Sequence, residues 1–179
     1  NSELLNEALS HPSMKQIDKD AKIYERYEFF GDSLIGFVIA EYLFKKYCVE
    51  NEGQLAKMKA YLVSKDMLVL IGKKLNLQNC LTMTEGEVKS GGRENKNNIE
   101  NAVESLVAAI YLDSNFETAK KIILKLWKTH FTDIDLDSAD PKSYLQETVQ
   151  KNGLGLPEYT LTHKEGIAHE PIFTVEVAV

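Results

Sequence analysis

A chain of 179 residues, 44% hydrophobic and 27% charged, is long enough for one domain or one and a fraction, and its balance excludes disordered and fibrous classes. Its net charge of −6 argues mildly against a nucleic-acid partner, whose phosphates favour basic surface, although acids held by a metal ion would weaken that objection. No apolar run approaches the ~20 residues of a membrane span. The chain opens on Asn1-Ser2-Glu3, without an initiator methionine or a basic-then-apolar leader, so it reads as a fragment with nothing that directs secretion. Cys48 and Cys80 lie far apart with no metal-like spacing, and are expected as buried thiols in a reducing compartment.

Ser2 to Leu9 reads as a short helix, ended by His11-Pro12-Ser13 because the residue before proline avoids the helical region. Residues 14–21 read as a polar loop. A long central helix follows, from about Ile23 to Tyr47, apolar almost all round and therefore expected to be buried. After the break at Asn51-Glu52-Gly53, helical spacing predicts helices over Gln54 to Ser64 and Lys65 to Leu75, with Asn76 as a cap. Glu85 to Gly92 is rich in turn residues with room for one helical turn, and Arg93 to Asn98 is polar and expected to be mobile. Helices resume over Ile99 to Tyr111 and Asn115 to Phe131. No strand pattern precedes residue 132, so residues 1–131 are predicted to be an all-α domain.

Composition changes at 132–141, where Asp133, Asp135, Asp137 and Asp140 flank a Ser-Ala pair, and this stretch reads as a linker. Residues 142–179 then give a short helix (Lys142 to Lys151) and two alternating β-rich runs, Glu158 to His163 and Pro171 to Val179, with a turn at Glu165 to His169. A lone helix and hairpin make a marginal domain, so this module reads as partial.

The chemistry concentrates in Glu25-Arg26-Tyr27-Glu28-Phe29-Phe30-Gly31-Asp32-Ser33. Glu25, Glu28 and Asp32 recur at i, i+3 and i+7, within roughly 60° of arc on one helix face. Acids at a helix start often only offset the macrodipole. Clustered where a buried helix begins, they are costly unless a cation compensates them, and oxygen-only ligands suit Mg²⁺ or Mn²⁺. Asn101 and Glu104 repeat the i, i+3 spacing on a second helix. No His or Cys arrangement for covalent catalysis stands out, and His130, His163 and His169 are scattered.

These residues resemble the ribonuclease III family. Glu25 to Ser33 looks like its hallmark stretch, with Tyr27 and Phe30 where leucine is commoner. Gly86-Glu87-Val88-Lys89-Ser90-Gly91-Gly92, Asn101-Ala102-Val103-Glu104-Ser105-Leu106, Ala109-Ile110-Tyr111-Leu112-Asp113 and His11-Pro12-Ser13 match further segments in the right order. Residues 140–179 are similar to the first two-thirds of a double-stranded-RNA-binding domain, an α-β-β-β-α unit.

The resemblance implies a helical endonuclease domain followed by a partial α+β RNA-binding domain. It implies a cytoplasmic homodimer that cuts double-stranded RNA with Mg²⁺ (Mn²⁺ as substitute), in ribosomal and other RNA processing, by water attack that leaves 5′-phosphate and 3′-hydroxyl ends. Carried over, Glu28, Asp32, Asn101 and Glu104 fall on the metal site, with Asp32 and Glu104 catalytic and Glu25 and Glu52 accessory acids near it. Gln146, Glu147 and His169 fall on positions that contact the RNA groove, and Phe29 on the dimer interface. The family usually has Asp where this chain has Asn101, which keeps the shape and loses the charge. That departure makes a non-catalytic RNA-binding or scaffold protein on the same fold the alternative reading.

Overall fold

The structure, a computed structural model, describes residues 1–131, 145–146, 148–150, 152–167 and 170–178, with the backbone alone described at 164–167 and 170–172. The chain divides into two units, residues 1–134 and 135–179.

The described part of the first unit is helical: α1 (Ser2–Ala8), a 3₁₀ turn (Pro12–Gln16), α2 (Glu25–Lys46), α3 (Glu52–Leu62), α4 (Lys65–Lys74), α5 (Leu77–Cys80), α6 (Glu85–Lys89), α7 (Lys96–Asp113) and α8 (Phe116–Trp127). Side chains set the starts of several. Asn51 and Gln54 form a reciprocal capping box on α3, and Ser64, Thr84 and Asn115 cap α4, α6 and α8. Helices α2 and α7 are the packing centre, and α1, α4, α5 and α8 pack against α7.

Polar contacts tie segments distant in sequence together. The buried Ser105 hydroxyl on α7 donates to the Ala8 carbonyl at 2.6 Å. Trp127, fully buried at the end of α8, donates its indole N–H to the Leu62 carbonyl at 2.8 Å. His11 accepts from the Ser13 backbone N–H through Nδ1 at 3.0 Å, which leaves Nε2 to donate to Asn98 Oδ1 at 3.2 Å. Asn98, itself buried, donates onward to the Gly92 carbonyl at 2.9 Å.

Several sequence expectations need correction. The polar stretch Arg93 to Asn98 is pinned rather than mobile: Arg93 donates to the Gln78 and Leu81 carbonyls, and α7 already begins at Lys96. Polar side chains here satisfy backbone oxygens, which polarity alone does not reveal. The central helix is not buried all round, because Phe29, Phe37 and Phe44 are 78%, 59% and 74% exposed. Cys48 and Cys80 are free and exposed, not buried. Asn76 does act as a cap: just past α4 it adopts the left-handed conformation (φ 58°) that ends a helix, and it begins the short α5.

In the second unit, residues 145–146 and 148–150 are helical and Val149 is buried. Strands β1 (Glu158–Ile167) and β2 (Glu170–Ala178) form an antiparallel hairpin running from Glu158↔Ala178 to Ile167↔Glu170, with an irregularity between Leu161 and His163. The strands extend further than the sequence pattern suggests, because Glu165 to Ile167 pair with β2 rather than forming the turn. The proposed linker at 132–141 lies outside the described residues, as do Glu147 and His169. No helix among the described residues is long and apolar enough to cross a membrane.

Candidate active site at the α2–α7 crossing

The site is built where α2 and α7 come nearest. A Cβ placed on Gly31 would lie 1.9 Å from the Glu104 backbone oxygen, so only glycine permits this approach. One residue beyond Gly31 is Asp32, and one turn before it is Glu28. The contact therefore brings the acids of α2 against Glu104 of α7.

Electrostatics follow from the burial. Glu104 is 6% exposed and, among the described residues, has no hydrogen bond or ion pair to compensate its charge. Its carboxyl is pushed up to about 8, first by burial, then by repulsion from Asp32, Glu100 and Glu28, with Lys65 opposing. Glu28, half-buried, is raised by burial and by Glu25, Glu100 and Asp32. Tyr24, buried at the start of α2, has its phenol raised to about 12, chiefly by burial, and takes a long 3.5 Å contact from the Asn101 amide nitrogen. The proton stays on this phenol at neutral pH, so Tyr24 adds no charge.

The polar frame around the acids comes from the matched motifs. His11 packs edge-on against Tyr24, with ring centroids 5.8 Å apart. Its Nε2 also faces Glu87 at 3.9 Å. Gly92 lies close against Glu87, where a Cβ would meet the Glu87 carboxylate at 2.6 Å. The His-x-Ser turn and the glycine-rich segment thus hold the starts of α2 and α7 in place.

Glu28, Asp32 and Glu104 share one electrostatic field, and Glu25 joins it through Glu28. Asn101 is half-buried beside Tyr24. Glu52 is not near them in the protomer: it lines a groove with Ala40, Leu43 and Phe44, three turns or more along α2 from Glu28, or roughly 18 Å of helix rise. Its place next to a chain break carried no information about which turn of α2 it would face. Phe29 points to solvent beside a groove of about 720 Å³ lined also by Glu25, Arg26, Tyr27, Phe30 and Leu112. Gln146 is in the helical part of the second unit and half-buried.

Two residues at the site were missed by reading the sequence. Glu100 repels both Glu28 and Glu104, and Lys65 pairs with it at 3.2 Å. The i, i+4 relation of Glu100 to Glu104 was available as a signal. That of Lys65 was not, since it arrives from another helix.

The donor set suits a hard divalent ion: it is oxygen-only, and Glu104 is a buried carboxyl without a hydrogen-bond or ion-pair partner among the described residues, which keeps its proton near neutral pH in the absence of a cation. Among the described residues no three His, Cys, Asp or Glu side chains stand close enough to ligate one ion. The acids are gathered by α2 and α7 but not drawn in to coordination distance.

Comparison with known proteins places this arrangement. Residues 1–130 match the family model described as ribonuclease-III-like, and residues 141–179 match the double-stranded RNA binding motif. The chain is 51% identical over 181 residues to Ribonuclease 3 of Rickettsia felis and, equally, of Rickettsia prowazekii, covering all of this chain and 80% of each relative. A crystal structure of the nuclease domain of the Campylobacter jejuni enzyme is similar at 37% identity and a TM-score of 0.68, covering 75% of this chain and 89% of that one. Dicer from Pichia stipitis shares the fold, with a TM-score of 0.60 at 19% identity. With its acids at the α2–α7 crossing and all of its own length aligned to these relatives, the chain belongs to the ribonuclease III family of endoribonucleases.

Proposed function

We propose that this chain cleaves double-stranded RNA in a Mg²⁺-dependent reaction, Mn²⁺ substituting, and that Glu28, Asp32, Asn101 and Glu104 hold the ion. The observation that carries this reading is Glu104, a buried carboxyl without a hydrogen-bond or ion-pair partner among the described residues, set against Asp32 and Glu28 across the Gly31 contact. When bound, a divalent ion lowers the pKa of an attacking water and shields the charge that builds on the phosphorus. The chain's own groups then orient and exclude. Gly31 fixes the distance between the two acid-bearing helices, burial of Glu104 limits its rotamers, and Glu25 adds negative charge beside Glu28. His11 has both ring nitrogens engaged, and among the described residues neither histidine nor cysteine is arranged for covalent catalysis with the site acids, which supports a water nucleophile. Attack by that water with departure of the 3′ oxygen, leaving 5′-phosphate and 3′-hydroxyl ends, is what the resemblance to the family implies.

The second unit supports binding to an RNA duplex, because residues 141–179 match the double-stranded RNA binding motif. Gln146, Glu147 and His169 would contact the shallow minor groove, read by shape and 2′-hydroxyls rather than by sequence. The exposed Phe29 beside its groove supports a homodimer, and a Campylobacter jejuni nuclease-domain structure is described by a region involved in dimer formation. A cytoplasmic role in processing ribosomal and other transcripts fits this activity.

The test is a long RNA duplex incubated with and without Mg²⁺, its products sized, alongside Glu104→Gln. Native protein with Mg²⁺ should reduce the duplex to short fragments. Glu104→Gln should retain the duplex in a gel shift in Ca²⁺ and cut nothing. Native-like turnover by Glu104→Gln would remove Glu104 from the site. A native chain that cuts nothing at any Mg²⁺ or Mn²⁺ concentration would favour the scaffold reading, toward which the neutral Asn101 points.

A further inference from the structure

We propose that Glu100 supplies the metal site with the negative charge that the amide of Asn101 lacks, and that the Lys65 ammonium holds its carboxylate until a divalent ion takes the ammonium's place. This rests on the site assignment above and extends it to a residue outside that ligand set.

On α7, residues 100 and 101 straddle Glu104: at 3.6 residues per turn they fall roughly 40° to one side of it and 60° to the other. A carboxylate at 100 thus reaches the same crossing as one at 101. Glu100 is mostly buried, with 19% of its side chain exposed, and lies 3.2 Å from Lys65 Nζ. Lys65 is held in turn by Asn97, whose Oδ1 accepts from Nζ at 2.7 Å. Asn101 is turned to Tyr24 through its amide nitrogen, whereas Glu100 belongs to the field of the acids on both helices. On Glu104 its repulsion exceeds that of Glu28, and on Glu28 it exceeds that of Asp32. Glu104, 6% exposed and without a hydrogen-bond partner among the described residues, is the buried group whose ionised form a cation would stabilise here. Lys65 supplies the positive charge that already acts on both Glu100 and Glu104, but as the half-exposed end of a flexible side chain. A divalent ion would compensate both carboxylates better than this ammonium does.

The experiment is Mn²⁺ binding to the full chain without RNA, followed by calorimetry and by the electron paramagnetic resonance of free Mn²⁺. Native protein is compared with Glu100→Gln, Glu104→Gln, Asn101→Asp and the Glu100→Gln/Asn101→Asp double variant. Glu100→Gln should weaken Mn²⁺ binding roughly 10–100-fold, the range for loss of a group that supports a metal's ligands. Asn101→Asp should restore most of that loss in the double variant, and should tighten binding more there than in the native background. Native-like Mn²⁺ affinity in Glu100→Gln, with affinity lost in Glu104→Gln, would overturn the proposal and leave the site assignment standing. Native-like affinity in both variants would overturn the two together. Weakened binding that Asn101→Asp fails to restore would also overturn it, because the two positions would then not supply the same charge.

Discussion

The Glu104 carbonyl oxygen occupies the space that a side chain on Gly31 would need: an ideal Cβ there would lie 1.9 Å from it. The neighbour is backbone and cannot swing away. Gly31→Ala must therefore push α2 and α7 apart, at a cost of about 3 kcal/mol or more, the upper part of the range for overpacking. Urea unfolding should show the loss. At temperatures where the variant is still folded, cleavage should fall further than the folded fraction does, because the acids of the two helices separate. Gly36, whose Cβ would meet only the end of the Lys59 side chain at 3.8 Å, serves as the control, and Gly36→Ala should fold with native stability or better.

Glu104 also makes the metal-free protein sensitive to pH. Its folded carboxyl is raised to about 8 from 4.5, so the folded state holds a proton that the unfolded chain gives up. Stability from this group is full below about pH 4.5 and is lost as pH rises toward 8. The loss should be on the order of 2–4 kcal/mol after allowance for solvent screening. Glu104→Gln should flatten the profile and make the metal-free protein more stable than native at pH 8. A thermal melt series in chelator from pH 5 to 8.5 measures this. A native profile unchanged by Glu104→Gln would show that Glu104 does not titrate in that window.

Phe29 is 78% exposed in the protomer, so truncating it leaves no cavity. Phe29→Ala should change folding stability by less than about 0.5 kcal/mol, as for a surface position. It should nevertheless raise the dissociation constant of the dimer by at least tenfold. Sedimentation velocity across nanomolar to micromolar protein separates the two effects. A native-like dimer would place the subunit interface elsewhere on the chain.

Asn101→Asp restores a carboxylate three residues before Glu104. The Mg²⁺ concentration for half-maximal cleavage should drop several-fold, in line with the effect of groups close to a metal's ligands. Duplex affinity measured in Ca²⁺ should barely change. A flat Mg²⁺ dependence would place Asn101 outside the reach of the ion.

Much of this architecture was legible from spacing alone. The helices of the first unit follow 3.6-residue periodicity, and spacing put Glu25, Glu28 and Asp32 on one helix face, whereas pairing them with Glu104 rested on the resemblance to the family. What stayed hidden depends on contacts between segments. Glu100 owes its place at the site to the helix rule but its charge partner to α4. Arg93 and Asn98 look solvated in the sequence, yet they close backbone hydrogen bonds across loops. Phe29, Phe37 and Phe44 look like core because hydrophobicity does not distinguish a protein interior from a face left to solvent in the single chain. Cys48 and Cys80 follow their usual preference for burial only in expectation; in the fold they sit near helix ends.

Trp127 is the chain's single tryptophan, has no exposed surface, and bonds through its indole N–H to the carbonyl that ends α3. Intrinsic fluorescence excited at the indole band therefore reports one event, the seating of α8 on the helical unit. It is silent about residues 135–179, which carry no indole. A fluorescence melt and a circular-dichroism melt of the same sample thus read different parts of the chain, and any gap between their midpoints measures how independently the two units unfold.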